Sequence, residues 1–430
     1  MELGTNYMRK RNITTIIATI IMAVLALTAC GRNSNTPQIN EDTPPEMIEN
    51  SIRPIAEDDT DAEGSADEIS LEQLIDNYIE TYNHRINGLS ISIFTKNDMI
   101  LEKVYGYADV ASGIPVDSDT VFEWGSVTKL LVYVSAMQLY EQGKLDFHAD
   151  IFTYIPEAFF PNIVHPTTMF DLMHHTAGFD DLTDRDFYYF QYVPINGIIP
   201  SLEDILRDIS KTDIVAQNSQ PGEREKYSNY GTTLAGYVIE QISGVPFYEY
   251  VNNNIFTPLG MLHTALLPDL SDNEWVKSQR AEIKVYGAAD NEMDVQRRQI
   301  GLYPAGAATG TISDRVRFSR ALLPDANGTS ALFEKPETLL MLYPSLEDIQ
   351  NAVTDERLVG IAYHYGFYII PIGGELDRII GHTGSTEEGF ASILFIDIDR
   401  GIGVTISENT VYGLMNVGEF LSELFEMLFQ

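Results

Sequence analysis

The sequence predicts an α+β fold: an antiparallel sheet built from both ends of the folded chain and flanked by terminal helices, around a mainly helical middle region. Three observations predict it. Strand-like runs begin at Leu89, others resume at Tyr365, and between about Leu145 and Gly310 the chain breaks into short helical segments and loops. Strands at the two ends and helices between them are the pattern of a sheet completed from both ends, with helices segregated beside it.

The first 30 residues stand apart. Arg9-Lys10-Arg11 precedes a mostly apolar run from Ile13 to Ala26, and Leu27-Thr28-Ala29-Cys30-Gly31 follows. That charged, apolar, small-residue order is the pattern of a secretory signal. Cys30 is the single cysteine of the chain. An exported protein with one cysteine cannot close an internal disulfide, so the thiol needs another use. Residues 31–68 are rich in Asn, Pro, Asp and Glu, and include the charge run Glu57-Asp58-Asp59-Thr60-Asp61-Ala62-Glu63. Such a stretch buries too little apolar surface to offset its ordering entropy, and is expected to be a disordered acidic tether.

The folded domain is expected over residues 69–430. Leu71 to Ile79 carries apolar residues at helical spacing, with Ser70 as its N-cap. Leu89 to Phe94 alternates like a half-buried strand, Lys96-Asn97-Asp98 turns, and Met99 to Tyr107 returns as a hairpin. Ser126-Val127-Thr128-Lys129 opens an apolar helix that runs to about Gln142, with Gly143 at its C-terminal end. Phe170 to Gly178 reads as a helix end entering a tight loop, and Leu234 to Ile242 as a helix stopped by Ser243-Gly244. Tyr365 to Pro371, Arg378 to Thr383, Ala391 to Asp397 and Gly403 to Ser407 are strands, and Val417 to Leu428 a closing amphipathic helix. A cleft between sheet and helical region is the expected place for a site.

Composition excludes some functions. The chain has 430 residues, 27 Lys+Arg against 63 Asp+Glu, and a formal net charge of −36. Nucleic-acid binding and polybasic membrane attachment both need clustered cations, so neither is expected. His165 and the adjacent pair His174-His175 form no His-Glu-x-x-His pattern, so no metal site and no cofactor are expected.

The chemistry starts at Ser126 and Lys129. Residues at i and i+3 share a helical face, and a desolvated lysine can take the proton of a hydroxyl nucleophile. Ser126-x-x-Lys129, Tyr227-Ser228-Asn229 and His382-Thr383-Gly384 then come in an order that resembles the three motifs of serine β-lactamases and penicillin-binding proteins. The tyrosine in the second motif is similar to the branch of class C β-lactamases, D-alanyl-D-alanine carboxypeptidases, esterases and D-aminopeptidases. Glu141 to Asp146, His175-Thr176-Ala177-Gly178, Pro258 to Met261 and Pro304-Ala305-Gly306 resemble that branch too. Leu27 to Cys30 likewise resembles a bacterial lipobox, with Cys30 as the lipidated residue.

The resemblance implies an acylated Ser126, with Lys129 and Tyr227 sharing the proton work. It implies Asn229 as a bridge between Lys129 and a substrate amide, and His382, Thr383, Gly384 and Ser385 as the substrate-binding strand. The Ser126 and Ser385 backbone N–H groups would form the oxyanion hole, each donor typically worth about 3–4 kcal/mol in the transition state. A small ester, amide or peptide is the implied substrate and the membrane, through Cys30, the implied partner, on the outer face of the bacterial cytoplasmic membrane, or in the periplasm of a cell with an outer membrane. A non-catalytic or slowly acylating lipoprotein using the same cleft is the alternative. Two departures stand out. His382 replaces a lysine whose cation helps bind a carboxylate, with Glu387 and Glu388 close behind, and Gly310 replaces a common serine.

Overall fold

Ser70 and Gln73 bond reciprocally: the Gln73 N–H donates to Ser70 Oγ at 3.2 Å and the Ser70 N–H to Gln73 Oε1 at 3.0 Å. This capping box opens helix α1, Leu71–Tyr82. The computed structural model describes residues 70–82, 86–181, 192–194, 198–287, 298–354, 362–370, 378–386 and 389–410. Cys30, the acidic tether, Glu387, Glu388 and the expected closing helix lie outside the described residues.

The strands in chain order are β1 (Gly88–Thr95), β2 (Met99–Asp109), β3 (Ile114–Pro115), β4 (Val121–Glu123), β5 (Tyr192–Pro194), β6 (Thr264–Ala265) and β7 (Arg298–Ile300). They continue as β8 (Thr309–Thr311), β9 (Ala362–His364), β10 (Phe367–Ile370), β11 (Ile379–Ser385), β12 (Ala391–Asp397) and β13 (Ile402–Glu408). Eight of them form the main antiparallel sheet in the order β3-β2-β1-β13-β12-β11-β10-β9. The two ends of the folded chain therefore meet inside it: β1 pairs with β13, Ile91 opposite Ile406 and Ile93 opposite Val404. The expected both-ends sheet is present.

Alternation decides what each strand buries. Along β12, Ile393 and Phe395 join the cluster under α1 with Ile75 and Ile79, while Leu394 and Ile396 face the opposite, larger core. Both faces of the central strands are covered, which is why Ala391 to Asp397 is buried throughout and reads as a nearly continuous apolar run. On the hairpin, Lys103 bridges Glu72 and Asp76, at 2.8 and 2.7 Å, and fastens α1 to β2.

The larger core is the helical middle region. Helix α2 is Lys129–Glu141, helix α3 is Asn229–Ser243 and helix α4 is Ile312–Ala321. Gly244, at φ 75°, stops α3 in the left-handed conformation that glycine adopts without strain. The middle also holds short strands that no alternation announced, because two or three residues cannot show a period: β4-β8-β6 make one small sheet and β5-β7 another. Gly310 pairs with both Phe122 and Thr264 in it. A Cβ there would stand 2.6 Å from Thr264 Oγ1, so the usual serine does not fit.

Candidate active site

The Ser126 segment differs from its expected form. Ser126 lies in a 3-10 turn, Gly125–Thr128, and the α-helix proper starts at Lys129, whose N–H bonds the carbonyls of Ser126 and Val127. An i, i+3 spacing suits the tighter 3-10 turn as well as an α-helix, so spacing alone could not separate them. The turn is pinned on both sides. The Trp124 N–H donates to Ala308 O at 2.8 Å, and Ser392 Oγ on β12 donates to Trp124 O at 2.6 Å.

Strand β11 presses against this turn closely enough to need glycine twice. Gly125 has φ 52°, and a Cβ on it would stand 2.6 Å from the Ser385 nitrogen. On Gly384 a Cβ would meet Trp124 O at 2.0 Å and the Ser126 nitrogen at 2.9 Å. The two backbone N–H groups expected as an oxyanion hole thus belong to segments in direct contact.

Lys129 is fully buried. Its Nζ is 3.0 Å from Ser126 Oγ, 2.6 Å from the Ala305 carbonyl and 4.8 Å from the centroid of the Tyr227 ring. Burial pushes its pKa well below the ordinary lysine value, with the Asp181 carboxylate pulling the other way. The Ala305 carbonyl accepts one amine proton, which leaves the nitrogen lone pair for Ser126. For Tyr227 the direction is opposite: burial holds the phenol well above its usual value, and the neighbouring Ser126 hydroxyl acts in the other sense. The Tyr227 hydroxyl has no hydrogen-bond partner of normal geometry among the described residues.

Ser126, Lys129, Tyr227 and the β11 motif are therefore brought together. His382 is fully buried, with its ring 4.0 Å from that of Tyr368 and 6.1 Å from that of Tyr227. Its Nδ1 faces the Thr383 carbonyl and its Nε2 is unpartnered among the described residues. Burial first, and the Lys129 charge second, push its pKa down to about 3. Histidine here is neutral, and enclosed rather than offered to solvent. Thr383 is half-buried and Ser385 exposed. Asn229 is half-buried at the first position of α3, five residues before the helical periodicity expected from Leu234.

Three residues had no assigned role from the sequence. Ala305 holds Lys129. His175 accepts the Ser228 N–H on Nδ1 at 3.1 Å. Asp181, buried and raised in pKa by that burial, accepts the Tyr230 N–H at 3.1 Å. The stretches containing Ala305 and His175 were marked by their resemblance alone; nothing local marked Asp181 beyond the acidic pair Asp180-Asp181.

A nucleophile at a strand-backed turn, with a buried lysine and a half-buried tyrosine beside an antiparallel sheet, defines a serine hydrolase of β-lactamase/transpeptidase-like fold. A family model described as Beta-lactamase matches residues 71–419, and the chain belongs to that family. Among curated relatives, a putative penicillin-binding protein PbpX of Bacillus subtilis is 26% identical over 361 residues, covering 80% of this chain and 78% of its own. A putative D-alanyl-D-alanine carboxypeptidase of Salmonella heidelberg is 30% identical over 196 residues, 42% of this chain and 44% of its own. Among solved structures, the D-amino acid amidase of Ochrobactrum anthropi superposes with a TM-score of 0.64 at 21% identity, over 83% of this chain and 97% of that one. A β-lactamase/D-alanine carboxypeptidase of Pseudomonas syringae gives 0.61 at 20%, over 83% and 98%.

Proposed function

We propose that this serine hydrolase cleaves an ester or amide, including D-amino-acid peptides, through an acyl-Ser126 intermediate, and that it does so outside the cytoplasm on a lipid anchor at Cys30. The observation that carries the chemistry is the 3.0 Å contact between Ser126 Oγ and a lysine that burial drives towards its neutral form. Lys129 takes the Ser126 proton as Oγ adds to the carbonyl carbon, and the Ser126 and Ser385 N–H groups face the oxyanion. Tyr227, held protonated, supplies the proton that the leaving amine or alcohol needs when its bond to that carbon breaks. Water then releases the acyl group by the reverse sequence. Asn229 serves as a substrate-amide contact.

Substrate preference follows from His382. A buried neutral imidazole gives no fixed cation for the carboxylate of a penicillin-like ligand. Esters, and amides with a neutral or cationic group at that end, are the preferred class, and efficient β-lactam turnover is not expected. The relatives named for carboxypeptidase and amidase activity support an amide-cleaving chemistry of this kind. The membrane assignment rests on the Leu27 to Cys30 sequence order alone.

The test is intact mass after reaction with a fluorophosphonate, a p-nitrophenyl ester, a D-amino-acyl amide and benzylpenicillin. The expected result is a fluorophosphonate adduct lost in Ser126→Ala without unfolding, with turnover of ester or amide and slow or no turnover of benzylpenicillin. Labelling of S126A at the wild-type rate would overturn the nucleophile, and rapid benzylpenicillin turnover would overturn the substrate class.

A further inference from the structure

His175 is fixed in a conformation that a non-glycine residue seldom adopts, φ 55°, and its side chain is 2% exposed. Such a conformation persists only where surrounding contacts over-determine it. Its ring makes two hydrogen bonds, two more continue from them, and their directions follow one from another. The Ser228 N–H can only donate, so Nδ1 of His175, at 3.1 Å, is an acceptor. The neutral ring then carries its proton on Nε2, which donates to Tyr133 Oη at 3.2 Å. Tyr133 donates onward to Thr232 Oγ1 at 3.2 Å, and Thr232 donates to the Ser228 carbonyl at 3.1 Å. The chain starts and ends on the two peptide groups of Ser228. Those peptides carry Tyr227 on one side and Asn229 on the other. Besides this, the His175 carbonyl accepts the Lys226 N–H at 2.7 Å, and the His175 ring lies 4.6 Å from that of Tyr227.

Tyr133 supplies the other end of the span. It stands four residues after Lys129 on α2, hence on the same face of that helix. The hydrogen-bonded chain therefore links the helix that carries the lysine to the segment that carries the tyrosine. We propose that His175, as the neutral Nε2–H tautomer, is a positioning residue that sets Tyr227 against Lys129 and Ser126 through the one-way chain His175, Tyr133, Thr232, Ser228. It touches no substrate; it acts through the two peptides that orient Tyr227. This rests on the acyl-Ser126 reading and on Tyr227 as the acid for the leaving group.

That dependence gives the test. An amine leaving group needs its proton far more than p-nitrophenolate does, so misplacing Tyr227 should damage amide cleavage selectively. We would compare kcat/KM for an amide and a p-nitrophenyl ester of one acyl group. Tyr133→Phe removes one hydroxyl and keeps the buried ring, so it should fold. In Tyr133→Phe and His175→Gln the amide rate should fall by about 30- to 100-fold, the scale of a small misplacement of a catalytic group, and the ester rate by no more than about 3-fold. The double variant should be no worse than the worse single one. His175→Asn, whose side-chain oxygen can take the Ser228 N–H, should recover at least about tenfold over His175→Ala on the amide. Equal losses on both substrates, as a reduced folded fraction would give, or no loss on either, would overturn the proposal. Failure of wild-type Ser126 to take a fluorophosphonate would sink the hydrolase reading beneath it, and the proposal with it.

Discussion

Lys129 and Tyr227 are ordinarily near-equals in acidity, with unperturbed pKa values of about 10. Burial alone separates them, because removal from water disfavours whichever form is charged: ammonium for one, phenolate for the other. Lys129 is thereby shifted towards the neutral base, and Tyr227 is held as the protonated acid. The sign of the pH dependence follows. The activity of wild-type protein should rise with pH as Lys129 loses its proton, which happens below the usual lysine range, and then stay level. No fall is expected within the usual tyrosine range, because burial holds the Tyr227 phenol protonated well above it. A kcat/KM profile on an activated ester checks this, and a fall already by pH 9 would contradict it. Lys129→Met should lower acylation by about 10²- to 10⁴-fold, the usual worth of a positioned base, measured as the fluorophosphonate labelling rate.

At the scale of elements, the site exists because β11 lies against the Ser126 turn with no side chain between them. Gly384→Ala inserts a methyl where the Trp124 carbonyl and the Ser126 nitrogen already are. It should cost about 1–3 kcal/mol in urea unfolding and reduce Ser126 labelling by about 100-fold. A variant that labels at the wild-type rate would show that this contact does not set the oxyanion geometry. The sequence made much of this legible. The hairpin and Ala391 to Asp397 were readable because a strand in a covered sheet writes its period and its apolarity into adjacent residues. The three motifs were readable because each packs its chemistry into three or four neighbours. What could not be read lies across the chain. The Ala305 carbonyl meets Lys129 from 176 residues away, and no local period encodes such a pairing. Strand β9 was hidden by its length of three residues. The start of α3 was hidden because Gly231, Thr232 and Thr233 are poor helix formers, although Ser228 accepting the Gly231 N–H at 2.7 Å is an ordinary N-cap.

The whole molecule carries its site at a cost in acid. His382 is buried and His174 half-buried, and loss of solvent pushes their pKa values down to about 3 and about 4 from an ordinary 6.5. A histidine with a depressed folded pKa binds protons first in the unfolded chain. Its contribution is complete above pH 6.5 and is lost as pH falls from there towards the folded value. Between pH 7 and pH 5 each should cost about 2 kcal/mol, since one pKa unit is about 1.36 kcal/mol. Urea midpoints at the two pH values should show it, and an unchanged midpoint would mean that these rings are not held neutral. At the same scale, Cys30→Ser should move the protein from the detergent phase to the aqueous phase if Cys30 is its anchor. Retention in the detergent phase would rule that attachment out.

The pairing of β1 with β13 sets a timetable as well as a shape. Leu89 finds Glu408 as its partner only after the whole stretch between them has been made. Until then β1 and the hairpin present an open edge, and the nucleophile's turn lacks the β11 and β12 backing that holds it. Closing so long a loop is slow, because its entropy is lost before the contacts that offset it are made. A nascent chain of this kind therefore stays unreactive and protease-sensitive until its last strands arrive. Hydrolytic competence should appear late and all at once, after β13 has been made.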